Sequence, residues 1–372
     1  MANLIIKSSA DNLVLQGSDA SPAITIGSTG TTTFAENATL AGLIITAGTA
    51  PSSPTVGQVY YNSTDKTLYV YDGTNWSHVS ERAGKAIGGT VTSYVKGSTT
   101  YVVHTFLESG TFTPYSAFNV DALVVAGGGG GGSSHNIPGA GGAGGVLAGT
   151  GAAVVATNYT VTIGGGGANG ANGGNSILTG NSQTLTAVGG GKGGSGDTQS
   201  SALNGTAGGS GGGGSFAGTG ASGTQANGTF GGQTFTGYGN DGANGGGSGN
   251  QHPSGGGGGA GAAAIDLFGN QQFGPGGVGM QNDLRTGSDQ YYGGGGGGAH
   301  WTDAHSSDRA PKVNAYGGLG GGGMGGSNSN GFPNKGGLPG IENTGGGGGA
   351  GTSASYPSKA GGSGIVVIRY SL

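Results

Sequence analysis

The sequence has no cysteine, few charged residues and no long apolar stretch. Without cysteine, the chain forms neither a disulfide nor a thiolate metal site. With 12 basic and 16 acidic residues and a net charge of −4, it lacks the clustered positive charge of a nucleic-acid-binding surface. No run of 18 apolar residues is present, so we expect no insertion into a membrane. Residues 1–7 lack the basic start and apolar run of a signal peptide, so we expect synthesis in a cytosol.

Glycine is the residue that is abundant, and its distribution changes at one point. Of the 98 glycines, 86 lie in residues 127–364, which places a domain boundary near Ala122. Collagen is excluded because no strict three-residue repeat is present and proline is scarce. Such a composition is often typical of disorder. However, glycine runs such as 127–132, 164–167 and 293–298 alternate with segments that contain apolar and aromatic residues, which favours an ordered domain.

A run of glycines can form a polyglycine II helix, with three residues per turn and no internal hydrogen bond. Its amides point outwards in three directions, and parallel rods of this kind can satisfy one another's backbone groups. A larger residue facing a neighbour would push the rods apart. The sequence therefore predicts a C-terminal bundle of polyglycine II helices with loops at the rod ends, where aromatic and polar residues concentrate.

Residues 1–46 contain short apolar segments at intervals of about 8 to 11 residues, separated by turn-forming residues. Strands this short rarely form an independent sheet. We therefore expect a β-prism or β-helical shaft shared by three chains, with a small monomeric β-sandwich as the alternative.

Residues 47–79 combine a proline-rich linker with an aromatic β-hairpin. The linker contains Pro51 and Pro54, and the alternating pattern from Tyr60 to Trp76 predicts two strands around a turn at 62–66. The aromatic residues are expected to pack across the strands, with stacking on a sugar as the alternative. Residues 80–121 predict a β-rich connector, and the one candidate for a helical turn is residues 260–267.

Two segments resemble a known family. The apolar segment 122–126 with its six following glycines, and the closing segment 361–370, resemble the first and last strands of the glycine-rich domain of phage tail-fibre adhesins. In the T-even-like group this domain is a sandwich of polyglycine II rods, and its distal loops contact the host receptor. Residues 3–46 and the hairpin 60–76 resemble fibre and appendage proteins of marine phages. No loop motif is shared, so the resemblance assigns no binding residue.

Candidate binding residues therefore follow from chemistry alone. Residues 300–309 hold the densest group of aromatic and charged side chains, which suits contact with a receptor or a carbohydrate. We expect Tyr291 and Tyr292 either at the same rod end or capping the apolar edge of the lattice. The receptor-contacting candidates are Tyr291, Tyr292, His300, Trp301, Asp303, His305, Arg309 and Tyr316. Zinc or calcium binding and a plain solvated loop are the alternatives for residues 300–309, although their spacing matches no established metal motif.

The sequence thus predicts a mainly β and polyglycine II protein with almost no α-helix. Its expected parts are a shaft and virion anchor at 1–46, a linker and hairpin at 47–79, a connector at 80–121 and a glycine-rich tip at 122–372. The expected function is a non-enzymatic, homotrimeric virion appendage that needs no cofactor or metal. It would attach to other virion proteins and bind a host-surface glycan or outer-membrane protein. A head decoration or structural fibre is the first alternative, and a polysaccharide depolymerase with paired carboxylates is the second.

Overall fold

A computed structural model of the chain describes residues 5–9, 12–16, 22–26, 32–34, 47–64, 68–78, 84–133, 137–195, 204–216, 218–246, 251–266, 274–302, 315–327 and 336–372. The chain divides into two compact units, Met1–Glu81 and Arg82–Leu372. The described part is mainly β, and it contains no helix. The expectation of a β-rich, helix-poor chain is confirmed to this extent.

The first unit begins with a small antiparallel sheet. Its strands β1 (Ile5–Ser9), β2 (Asn12–Gln16), β3 (Pro22–Ile26) and β4 (Thr32–Phe34) pair in chain order. The short connections bring each strand beside the preceding one, so these strands pair within a single chain. The argument that they need partners from other chains was therefore wrong, although the trimer itself stays a prediction. The apolar segment at 43–45 lies outside the described residues.

The aromatic hairpin forms as the alternating pattern predicts. Strands β6 (Val59–Asn62), β7 (Leu68–Tyr71) and β8 (Trp76–His78) are antiparallel, and β5 (Ala47–Gly48) pairs with β6 in parallel. The rings of Tyr60 and Tyr69 stack with centroids 5.2 Å apart, and Trp76 meets the ring of Tyr60 edge-on at 4.6 Å. Cross-strand aromatic packing is thereby confirmed for this sheet.

The second unit contains a β-sandwich. Its seven-stranded sheet has the order β10 (Thr90–Lys96), β11 (Thr99–Phe106), β24 (Ile365–Ser371), β13 (Phe118–Val125), β14 (Val146–Val154), β19 (Gln233–Tyr238) and β18 (Gly228–Phe230). The five-stranded sheet has the order β17 (Gln183–Ala187), β16 (Ser176–Gly180), β15 (Tyr159–Thr162), β12 (Gly110–Pro114) and β9 (Ala86–Ile87). Side chains from both sheets, among them Phe112, Tyr159, Leu147 and Phe235, form one buried cluster between them.

The first and last strands of the glycine-rich segment are neighbours in this sheet. Strand β13 pairs antiparallel with β24, with Val125 opposite Ile365 and Asp121 opposite Arg369. Strand β11, from the predicted connector, pairs with the other edge of β24. The sheet therefore combines residues of 80–121 with both ends of the glycine-rich segment, and the unit boundary lies at Glu81.

A hairpin packs on the face of this sheet that points away from the sandwich core. It consists of β21 (Met280–Asn282) and β22 (Gln290–Tyr292). On the sheet side, the guanidinium of Arg369 donates to Asp121 Oδ2 at 2.6 Å and to Tyr94 Oη at 2.8 Å. Lys96 of β10 forms an ion pair with Asp283 in the hairpin turn. This ion pair, together with the hydrogen bond that Tyr94 Oη donates to Leu284 O at 3.3 Å, joins the hairpin turn to the sheet.

Between and beyond the strands, glycine-rich segments run side by side and are bonded through their backbones. The central segment, residues 139–145, shows a three-residue repeat in its N–H donors. Every third N–H, beginning at Gly139, donates to segment 188–194, and the two intervening sets donate to segments 255–258 and 345–348, all at 2.8–3.1 Å. Consecutive residues therefore bond to three different neighbours in turn.

The carbonyls of the central segment point to three further neighbours. They accept N–H groups from segments 126–132, 210–213 and 293–298. Among the described residues, segment 139–145 is thus bonded to six neighbouring segments. Six neighbours around one segment is the arrangement found in hexagonal packing. Buried backbone groups need partners, and this arrangement provides them without a sheet.

Close packing of these segments requires glycine at specific positions. A Cβ atom added at Gly129, Gly141 or Gly257 would lie 1.9–2.2 Å from a carbonyl oxygen of a neighbouring segment. By contrast, a Cβ at Gly165, in an outer segment, would meet no atom within 4 Å. The need for glycine therefore depends on which direction the residue faces.

At part of the rim, side-chain oxygens take the place of a missing neighbour. Asn172 and Asn175, three residues apart, accept the N–H groups of Lys192 and Gly189 at 2.9 and 2.8 Å. On another pair of segments, Asp241 and Asn244 accept the N–H groups of Gly223 and Gly220 at 2.9 Å. The same three-residue repeat thus appears in the side chains that cap the edge.

The candidate helical turn at 260–267 is not formed in its described part. Residues 260–266 contain no helix, and the N–H groups of Ala260 and Gly261 donate to Gly293 and Val278 of other segments. The N–H of Ala264, which a helix would bond to the carbonyl of Ala260, instead donates to Asp241 O of another segment at 3.1 Å. Leu267 lies outside the described residues.

Candidate functional site

The glycine-rich segments have two different ends. At the sheet end, segment 126–132 leaves β13 and segment 139–145 enters β14, with the N–H of Ala126 bonded to Gly145 O at 3.0 Å. At the opposite end, here called the far end, the N–H of Gly132 donates to Gly139 O at 2.9 Å. The chain therefore reverses at the far end, away from the sandwich.

The two tyrosines before the glycine run 293–298 lie at the sheet end. Tyr292 is 2% exposed and packs with Val125, Val146 and Ile365, and its hydroxyl donates to Gln290 Oε1 at 2.9 Å. Burial raises the pKa of the Tyr292 hydroxyl, and the nearby positive charge of Arg285 opposes this shift. Tyr291 is 37% exposed. Of the two sequence-based interpretations, Tyr292 follows the one in which it caps the apolar edge of the lattice.

His300 and Trp301 lie at the far end, separated from Tyr292 by the glycine run. They belong to β23 (His300–Thr302), which pairs with β20 (Gln251–Pro253). Immediately before β23, Ala299 packs with Ile137 and Ala140, which begin the central segment at the far end. The His300 side chain is buried, and its backbone N–H donates to Gly326 O at 3.1 Å. Of the two alternatives left open by the sequence, a rod end shared with His300 and Trp301 does not agree with this arrangement, because the glycine run 293–298 separates the two pairs.

Tyr316 lies near the far end and is open to solvent. It follows the buried Ala315, its carbonyl accepts the N–H of Gly276 at 3.0 Å, and it is 61% exposed. The remaining candidates, Asp303, His305 and Arg309, lie outside the described residues. In the chain they fall between Thr302 of β23 and Ala315.

The far end also contains exposed polar groups that the sequence analysis did not select. The backbone N–H of Ser133 donates to Ser195 Oγ at 3.0 Å. Tyr356 lies in a turn whose Thr352 N–H donates to Tyr356 O at 3.0 Å, and it is 43% exposed. The signal that could have identified Tyr356 is the Tyr-Pro pair between two glycine-rich segments, since such a pair favours a turn.

Other chemistry receives no support from the part of the chain that the structure describes. Within it, no group of three or more His, Asp or Glu side chains is arranged to hold a metal ion. In the same part, no helix has the length and apolarity needed to cross a membrane. What the described far end offers is exposed tyrosine, hydroxyl and amide groups carried on an array of bonded segments.

Comparison with known proteins agrees with the glycine-rich character of the second unit. No curated protein matched the chain. Residues 107–371 match the family model of the glycine-rich domain. The matched region begins just after β11, includes every glycine-rich segment and ends within β24. Because the match covers 265 of the 372 residues, the chain belongs to the glycine-rich domain family.

Proposed function

We propose that the glycine-rich segments are polyglycine II rods and that the protein is a virion adhesin whose far-end loops bind a receptor on the host-cell surface. The observation that carries this proposal is the backbone-bonded array around residues 139–145, which is tied to a sandwich at one end and reverses into loops at the other.

The rod interpretation rests on the three-residue repeat of the hydrogen bonds. A polyglycine II helix has three residues per turn, so consecutive N–H groups point about 120° apart. The donors of segment 139–145 alternate among three neighbours with that period, and segment 126–132 does the same. A β-strand has a period of two and would direct its bonds to only two neighbours.

The position of the loops supports display. At about 3.1 Å per residue, the eight residue steps from Tyr292 to His300 would separate them by roughly 25 Å along a rod. The far-end connections include the longest ones, such as residues 303–314, whereas at the sheet end several connections are short hairpins. Function is commonly carried on loops that a rigid scaffold positions.

A binding role for the far end fits its composition. Tyrosine, tryptophan and arginine are common contact residues in interfaces. Tyr316 and Tyr356 are exposed there, Trp301 lies in β23, and Arg309 lies in the following connection. The proposed receptor is therefore a glycan or an outer-membrane protein of the host surface.

Three exposed tyrosines provide a matched test. Tyr316→Ala and Tyr356→Ala change the far end, and Tyr291→Ala changes a similarly exposed tyrosine at the sheet end. Binding of fluorescently labelled protein to intact bacteria and to envelope fractions would be measured by flow cytometry and sedimentation. We expect both far-end variants to lose at least tenfold in binding and Tyr291→Ala to bind like the wild type. Equal loss in all three variants, or no binding of the wild type to any envelope fraction tested, would overturn the proposal.

Microscopy and a hydrolysis assay separate the alternatives. Immunogold labelling on the tail tip supports an adhesin, whereas labelling spread over the capsid supports a head decoration. Release of reducing ends from host polysaccharide would point to a depolymerase instead.

A further inference from the structure

Strand β10 forms an open edge of the seven-stranded sheet. It has seven residues, Thr90–Lys96, and pairs on one side with β11. Six of the seven residues are exposed, including Val91 at 47% and Val95 at 67%. An exposed strand edge presents unpaired N–H and C=O groups that can pair with another strand.

The opposite edge of the seven-stranded sheet is shorter and is flanked by side-chain caps. There β18 has only three residues, and Phe230 at its end is buried. Gln183 Oε1 accepts the N–H of Gly231 at 2.6 Å, and Gln225 Oε1 accepts the N–H of Val188 at 2.8 Å. Glutamine side chains thus occupy two donors next to this edge. By contrast, β10 contains no proline, and within the described ranges no side chain caps its backbone N–H groups.

The edge of β10 also lacks a free charge. Its one charged residue, Lys96, is already paired with Asp283 of the hairpin turn. Exposed lysines and prolines are common means by which proteins prevent edge-to-edge pairing. Because Asp283 of the same chain neutralises the charge of Lys96, this lysine repels an approaching strand less than an unpaired lysine would.

The sequence of β10 is compatible with antiparallel pairing to itself. A two-fold axis at Ser93 places Ser93 opposite Ser93, Val91 opposite Val95, Thr92 opposite Tyr94, and Thr90 opposite Lys96. Each pair is apolar, aromatic with β-branched, or polar, and no like charges face each other. This self-complementary register favours a second copy of this chain as the partner of β10.

We infer that two copies of the protein associate through β10, forming a continuous sheet of fourteen strands across a two-fold axis. The contact is isologous, with the same strand contributed by each copy. This assembly differs from the three-fold shaft expected from the short N-terminal strands, and it does not depend on the proposed receptor binding.

Cysteine cross-linking tests the register directly, because the chain has no cysteine of its own. Ser93→Cys places the two thiols directly opposite each other, where Cβ atoms lie about 4.5–5.5 Å apart. Thr90→Cys lies on the same exposed strand, but residue 90 of one copy is six residues along the strand from residue 90 of the other. The two thiols would therefore lie about 20 Å apart. The full-length variants would be oxidised with copper–phenanthroline in air and separated by non-reducing electrophoresis.

We expect more than half of Ser93→Cys to migrate as a covalent dimer and less than a tenth of Thr90→Cys to do so. Equal cross-linking of both variants, or none in either, would overturn the inference. In the latter case a strand from another protein would be the remaining occupant.

A charge variant gives an independent measurement. Val91→Lys combined with Val95→Lys places like charges opposite each other across the proposed axis, and both sites are exposed, so folding is preserved. We expect sedimentation of this variant to show half the wild-type mass at the same concentration, with an unchanged circular dichroism spectrum. An unchanged mass would contradict pairing through β10.

Discussion

The bonded array makes a position-specific prediction for glycine-to-alanine substitution at Gly141. A Cβ at Gly141 would lie 2.0 Å from Gly129 O, whereas ordinary contacts begin near 3.4 Å. Segments 126–132 and 139–145 must therefore separate by about 1.4 Å to accept Gly141→Ala. Three hydrogen bonds of 2.9–3.0 Å join these segments. Such a shift lengthens the two nearest Gly141, from Gly129 N–H to Gly142 O and from Gly132 N–H to Gly139 O, beyond 4 Å.

The expected cost follows from the bonds that are lost. A buried backbone group left without its partner costs about 1–3 kcal/mol, so losing two of the three bonds costs about 2–6 kcal/mol. For a domain of this size, 1 kcal/mol shifts the melting temperature by about 2–4 °C. We therefore expect Gly141→Ala to lower the melting temperature by about 4–24 °C.

Gly165→Ala is the matched control. It makes the same chemical change in an outer segment, where the added Cβ meets no atom within 4 Å and φ does not lie in the left-handed region. Reduced freedom of the unfolded chain is expected to stabilise this variant by about 0.4–1 kcal/mol. Differential scanning calorimetry of both variants measures the contrast. Melting temperatures within 1 °C of each other would refute the argument from close packing.

Three further predictions concern single side chains. Tyr292→Ala should destabilise the fold by about 3–5 kcal/mol in urea unfolding, because a buried aromatic ring is removed; an unchanged midpoint would contradict its place in the core. Asn172→Ala should cost about 0.5–1.5 kcal/mol by removing a rim cap, while Asn169→Ala, exposed in a nearby turn, should cost less than about 0.5 kcal/mol. Burial lowers the pKa of His104, so the unfolded state binds its proton first as the pH falls below about 6.5, and the free energy of unfolding should decrease there. His104→Gln should show a smaller decrease between pH 7.5 and 5; an identical pH dependence would exclude this role.

Local patterns in the sequence predicted the parts of the fold that depend on neighbouring residues. Alternation from Tyr60 to Trp76 and the apolar segments at both ends of the glycine-rich region correspond to strands in the structure. These patterns are sufficient to identify the strands because the strands are short. Their cross-strand partners lie either close in the chain or at the opposite end of the glycine-rich region. The direct pairing of β13 with β24 joins residues about 240 positions apart, and no local pattern indicates its register.

The positions of the candidate site residues were harder to predict because they depend on how many times the chain reverses. Tyr292 and His300 flank one glycine run, and the sequence does not show that the run extends from one end of the array to the other. Burial of Tyr292 likewise depends on contacts with Val125 and Ile365, which come from distant segments. Aromatic content alone therefore selected Tyr316, which is exposed, and Tyr292, which is buried, without distinguishing them.

An array held by backbone groups separates stability from the identity of its loop residues. The interior bonds around Gly141 join N–H and C=O groups, so a substitution in a far-end loop removes none of them. A conventional core behaves differently, because its side chains determine both packing and stability. Under the proposed function, this separation allows the far-end loops to change as a receptor changes, while the glycines that face their neighbours must remain. The cost of ordering so many glycines is consistent with this interpretation, since only an array with every interior backbone group bonded can offset it.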